Sequence, residues 1–198
     1  IKLKYIMNKI FFKRHLPHLH FNDGIYFITS RLYDPSNFYS LMASGNNETD
    51  SKDEFNSHFE EYDNYLHKMK SSIHYFDDFS VASILKNEFH NFDNREYELI
   101  AYTIMSNHFH LLFKLLSRNS GISKILQKIK GRSAFLINKY LNRKGKLWQD
   151  ESYDRWVRDD KELYFIIKYI LENPVKAGLV KTWNDYPFSY CKEEYLVL

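Results

Sequence analysis

A chain of 198 residues, 44% of them apolar, fits one domain and can bury a real core. Sixteen Tyr and sixteen Phe against six Gly and four Pro exclude a disordered or fibrous chain, and no apolar run reaches the length of a membrane span. The lone Cys191 can form neither an internal disulfide nor a thiolate metal site, which points to the reducing cytoplasm. The opening IKLKYIMNKIFFKRH is too broken by lysines to read as a signal peptide, and Met7 is a candidate natural start.

The net charge of +3 hides an asymmetry. Glu48 to Glu98 holds thirteen acidic residues against five basic, Lys114 to Lys146 holds ten Lys or Arg and no acid, and the first 22 residues add five basic residues. An acid-free basic segment interleaved with Phe135, Tyr140 and Trp148 offers cations for phosphates and rings for bases, although a charge run also serves simply as a solvated helix face. DNA repels an acidic segment, so the acidic stretch is expected on the side away from the basic helix.

Along the chain, Asp23-Gly24 turns into IYFITSRLY, a β-branched and aromatic strand over Ile25 to Tyr33. A polar loop around ASGNNETDSKD leads to two amphipathic helices, near Glu54 to Met69 and Val81 to Asn91. YELIAYTIM and HFHLLFKLL read as strands joined by a tight turn at Ser106-Asn107. Ser123 caps a helix that runs to Leu141 and ends at the Asn142 to Gly145 break. Ser152 to Arg158 suits a fourth strand, and Asp159 or Asp160 caps a last helix that Pro174 terminates. Strand-helix-strand-strand-helix-strand implies an α+β, ferredoxin-like antiparallel sheet with helices on one face, followed by a C-terminal helix. The acidic helical stretch at about 36–95 reads as an insertion between the first and second core strands of a single domain.

On a strand, residues two apart share a face, so His108 and His110 can converge on one divalent ion while Phe109 packs behind them. A third ligand must come from elsewhere. At 100° per residue, Leu163, Ile166, Ile167, Ile170 and Leu171 form the core stripe of the last helix, and Tyr169 with Asn173 falls off it. The ordinary role of a helical tyrosine is core packing, and Asn before Pro is an ordinary helix terminator. Together, however, the set suits phosphoryl transfer. An ion held by His108, His110 and the Asn173 carboxamide would polarise a phosphodiester, and the Tyr169 hydroxyl would attack it. Tyr153 is the alternative nucleophile. His18 and His20, in a basic stretch, suit a DNA backbone better than a metal. Lys124, Lys128, Lys130, Arg132, Lys139, Arg143, Lys144, Lys146, Arg155 and Arg158 read as phosphate contacts, and Trp148 as a base-stacking ring or a core plug.

AYTIMSNHFHLLF resembles the HUH motif of single-tyrosine transposases. LQKIKGRSAFLINKYLNRKGKLWQDESYDRWVRD, YILENPVKAGLV and DYPFS, in that order, resemble the REP-associated subgroup, and the likeness runs from about Ile25 to Ser189. The resemblance implies Mg²⁺ or Mn²⁺ dependence, and cleavage and rejoining of single-stranded DNA beside hairpins through a 5′-phosphotyrosine. Tyr169 would be the nucleophile and Asn173 the helix ligand, where insertion-sequence relatives usually carry Gln. Ser106 replaces the proline usual before the motif, which should loosen the turn. The competing reading is a non-catalytic hairpin-DNA-binding regulator on the same fold, and a third is a phosphodiesterase that uses water. A bacterial cytosolic, nucleoid-associated protein is expected, either a monomer or a homodimer. Tyr169 far from the histidines within one chain would decide for a dimer.

Overall fold

The computed structural model describes residues 10–13, 17–20, 23–35 and 73–196. The expected helix near Glu54 to Met69 lies outside them. Strands β1 (Ile10–Lys13) and β2 (Pro17–His20) pair as an antiparallel hairpin in a separate two-stranded sheet, which the sequence does not announce. His18 and His20 lie on that hairpin, in a different sheet from His108 and His110.

The main sheet is wholly antiparallel. Its strands are β3 (Ile25–Arg31), β4 (Tyr97–Ile104), β5 (His108–Leu115), β6 (Tyr153–Trp156) and β7 (Ser189–Cys191), in spatial order β6-β3-β5-β4-β7. Helix α1 (Phe79–Phe92) connects β3 to β4, α2 (Ile122–Tyr140) connects β5 to β6, and α3 (Asp160–Lys176) follows β6. The strand-helix-strand-strand-helix-strand order is therefore present, with β7 as an added edge. Among the described residues no helix is long and apolar enough to cross a membrane.

Two cores lie on opposite faces of this sheet, because successive side chains of a strand point opposite ways. Tyr26, Ile28, Phe109, Leu111 and Phe113 pack with Val81, Leu85 and Phe89 of α1 and with Ile125, Ile129 and Ile137 of α2. Phe27, Ile100, Ala101 and Leu112 pack with Leu163, Ile166, Ile167 and Ile170 of α3. Helices thus cover both faces, with α3 on the side of the histidines. Helix α1 is packed into the first core through Val81, Ala82, Leu85 and Phe89.

Capping sets the helix starts. Asp78 accepts hydrogen bonds from the Ser80 and Val81 amides, and Asp159 accepts one from Glu162. Helix α2 begins one residue before Ser123, with Gly121 at the cap position in the left-handed region (φ +87°). Pro174 does not end α3, which continues to Lys176. The stop comes where Gly178 turns left-handed (φ +71°) and its amide bonds the Val175 carbonyl, a glycine-closed helix end. The turn between β4 and β5 is held firmly despite Ser106. Phe76 N–H donates to the Ser106 carbonyl at 3.1 Å and Leu32 N–H to that of Asn107 at 2.8 Å.

Gly24 enters β3 at φ +107°, and a Cβ there would meet Trp156 Nε1 at 2.5 Å. Gly24→Ala should cost about 1–3 kcal/mol of stability, read as a lowered urea midpoint.

Candidate active site

Register places one polar row across all five strands. Tyr153 faces Thr29, Thr29 faces His110, His110 faces Thr103, and Thr103 faces Ser189. The row is tied by hydrogen bonds, with Thr29 Oγ1 at 2.8 Å from His110 Nδ1 and Thr103 Oγ1 at 2.9 Å from Ser189 Oγ. One step along, Arg31 lies opposite His108, whose Nδ1 is 2.7 Å from Asn107 Oδ1. The two imidazoles are buried neighbours, their centroids 5.0 Å apart.

Helix α3 lays Tyr169 on this row. Its hydroxyl is 3.4 Å from His110 Nε2, and its ring meets His110 and Phe27 edge-on. Tyr169 is only 4% exposed and Asn173 is fully buried, so the expectation that both leave the core face is corrected. The buried arc of α3 is wider than its aliphatic stripe. It extends to a polar edge formed by Glu162, Tyr169 and Asn173, which stack at spacings of seven and four residues. Of these side chains Tyr169 meets the polar row through His110, whereas Glu162 is paired by Arg155 and Arg158. The Asn173 amide donates to the Tyr169 carbonyl at 3.4 Å. Tyr153 also points at this face, its ring edge-on to Phe27, and burial raises its phenol above the ordinary range.

Among the described residues no three His, Cys, Asp or Glu side chains cluster as an ion site. The available donors are the two adjacent imidazoles and the buried Asn173 amide one turn from Tyr169. Two imidazole nitrogens and a carboxamide oxygen are donors suited to a first-row divalent cation such as Mn²⁺, with substrate oxygens completing its shell.

The Transposase IS200 like family model matches residues 68–173, more than half of the chain and including both histidines, Tyr169 and Asn173. The chain belongs to the IS200-like transposase family. Over 96 residues it is 28% identical to the REP-associated tyrosine transposase of Escherichia coli K12, covering 48% of this chain and 55% of that protein. Over 102 residues it is 29% identical to a Haemophilus influenzae protein whose name carries the same assignment provisionally, covering 47% of this chain and 58% of the relative. The chain thus spans little more than half the length of these relatives. A solved structure titled as the REP-associated tyrosine transposase bound to a REP hairpin matches with a TM-score of 0.49 and 20% identity, over 84% of this chain and 75% of that one.

In this member of the IS200-like transposase family, several residues read as phosphate contacts also make contacts within the chain. Lys130 is half-buried and donates to the Gln149 carbonyl at 2.6 Å and to Ser152 Oγ at 3.2 Å. Trp148 is a core plug, packed on Phe76 and Phe109 and donating to Ser133 Oγ. Arg155 and Arg158 grip the buried Glu162 at 2.6 and 3.2 Å. Arg132 pairs with Glu88 at 2.7 Å and Lys128 with Glu96, so acids from α1 and from the residue before β4 lie against the basic helix rather than away from it. Lys146 pairs with Asp150 and lies over Tyr33, and Arg143 lies over Tyr75. Lys124, Lys139 and Lys144 are exposed, as are Phe135 and Tyr140 at 68% and 53%. All of α2 lies across the sheet from the histidines, so the basic surface and the Tyr169 site belong to different layers.

Thr29, Arg31 and Lys176, whose ammonium lies 5.9 Å from the Tyr169 ring centroid, escape a motif-based reading. The signal for the first two is the alternation Phe27, Thr29, Arg31 on β3, which needs the strand pairing before it points anywhere.

Burial pushes the Lys130 ammonium down to about 8. The unfolded chain binds that proton more tightly, so the group lowers stability below pH 8 and the deficit shrinks as pH rises toward 10.5. Relative to Lys130→Met, the wild type should gain unfolding free energy between about pH 7 and 9.5 in urea titrations, whereas parallel profiles would contradict this.

Proposed function

We propose that the chain is a metal-dependent single-stranded DNA transesterase that cleaves and rejoins DNA beside hairpins through a 5′-phosphotyrosine at Tyr169. One contact carries this reading: the Tyr169 hydroxyl lies 3.4 Å from His110 Nε2 within a single chain. Nucleophile and candidate ion ligand thus meet without a second subunit.

A divalent ion held by His108, His110 and Asn173 would, when bound, polarise the scissile phosphodiester and offset charge on its oxygens. Tyr169 supplies the nucleophile, its ring held edge-on by Phe27 and His110. The phenol loses its proton as its oxygen bonds to phosphorus, the P–O3′ bond breaks, and the departing 3′ oxygen takes up a proton. Attack by a 3′-OH on the phosphotyrosine reverses the sequence, restoring the phosphodiester and the phenol. Because the ester is conserved, rejoining needs no nucleotide cofactor. Arg31, opposite His108, supplies a guanidinium suited to a phosphate oxygen. Lys124, Lys139 and Lys144 with Phe135 and Tyr140 suit a DNA stem or flank on the outer face of α2.

The second reading, a non-catalytic hairpin-DNA-binding regulator, is favoured by the burial of Tyr169 and both histidines, since a phosphate reaches the phenol only if the site opens. Incubation of labelled hairpin-flanked single-stranded DNA with Mn²⁺ separates the two. The wild type and Tyr153→Phe should form a denaturant-stable protein–DNA adduct and Tyr169→Phe none. Loss of adduct only in Tyr153→Phe would move the nucleophile to β6. Cleavage without adduct in Tyr169→Phe would indicate attack by water, and binding without cleavage by the wild type would support the regulator.

A further inference from the structure

We infer that Asn107 and Thr29 are positioning residues that set the imidazole tautomers of His108 and His110 and so make the pair able to hold a cation; this rests on the reading of the site above. A neutral imidazole has one N–H and one bare nitrogen, and only the bare nitrogen binds a metal. His108 Nδ1 lies 2.7 Å from Asn107 Oδ1, and a carboxamide oxygen only accepts. The proton therefore sits on Nδ1 and the lone pair on Nε2. Asn107 is well placed to enforce this, because its carbonyl is held by the Leu32 amide and the turn around it is closed by Met105 N–H donating to the His108 carbonyl.

Two hydroxyls lie against the His110 ring. Its Nδ1 is 2.8 Å from Thr29 Oγ1 and its Nε2 is 3.4 Å from the Tyr169 hydroxyl. A phenol donates better than an aliphatic hydroxyl and accepts worse. The consistent arrangement has Nδ1–H donating to Thr29 and Tyr169 O–H directed at the bare Nε2. Both histidines then carry their Nε2 lone pairs on the α3 side of the sheet. Thr29 suits the task because it is buried, directly across the strand pair from His110, and β-branched, with restricted χ1. The alternative tautomer would put an N–H where the cation must sit. Outer hydrogen bonds of this kind typically change metal affinity 10–100-fold.

The test uses metal-free protein labelled with ¹⁵N at histidine, whose long-range ¹H–¹⁵N correlations distinguish the tautomers, with Mn²⁺ affinity measured by calorimetry without DNA. In the wild type both His108 and His110 should be the Nδ1–H form. Thr29→Val, which keeps the shape and removes the hydroxyl, should shift His110 toward Nε2–H and weaken Mn²⁺ binding about 10–100-fold, while Thr29→Ser retains both properties. Asn107→Leu should do the same to His108, and Asn107→Asp should not. An Nε2–H form of either histidine in the wild type overturns the inference and requires no variant to fold. Unchanged tautomer and affinity in folded Thr29→Val overturns it equally. Because these readouts use no DNA and do not require Tyr169 to act as a nucleophile, loss of the nucleophile assignment would leave them standing, and their failure would leave that assignment intact.

Discussion

Everything at the site depends on the two-sided alternation of β5. Phe109, Leu111 and Phe113 are fixed in the core beneath α1 and α2, and that anchoring sends His108, His110 and Leu112 to the opposite face. A slip of one residue would bury the histidines among aromatics and expose phenylalanines to α3, so the apolar face specifies the register of the polar one. Pairing on both sides then fixes what the histidines meet: Thr29 from β3 and Thr103 from β4.

The second constraint is the polar edge of α3. Burying Glu162, Tyr169 and Asn173 on a helix that already has an aliphatic stripe is costly unless each is satisfied. Glu162 is satisfied by Arg155, Arg158 and the Arg158 amide, which lock the start of α3 to β6. Removing the carboxylate would leave two guanidinium groups in a half-buried pocket without their partner and would loosen the helix that carries Tyr169. The same arginines read in isolation as phosphate contacts; their part in orienting α3 appears only once Glu162 is seen to be buried.

The strands and helices were largely legible because their periodicities are plain, and the HFH spacing pointed to a shared face that the sheet indeed provides. The position of Tyr169 was misjudged for a physical reason: an aliphatic stripe marks the centre of a buried arc, not its width, and a helix facing a polar row can bury polar residues at its flank. The partners that basic residues have within the chain were hidden for a related reason. A lysine such as Lys130 looks the same in sequence whether it faces water or carbonyl oxygens. Pro174 and Ser123 show local signals overruled, the helix running through the first and starting ahead of the second. Thr29 and Arg31 carry no motif and became visible only through pairing with β5.

The central claim is that one chain brings the nucleophile and the ion-binding histidines together, as the contact between Tyr169 and His110 implies. Mixing purified Tyr169→Phe with purified His110→Ala, under conditions where the wild type forms a covalent DNA adduct, tests it directly. The account predicts that the mixture forms no more adduct than either variant alone. Recovery of adduct in the mixture, with the DNA attached to the His110→Ala chain, would show a site assembled from two subunits and contradict it.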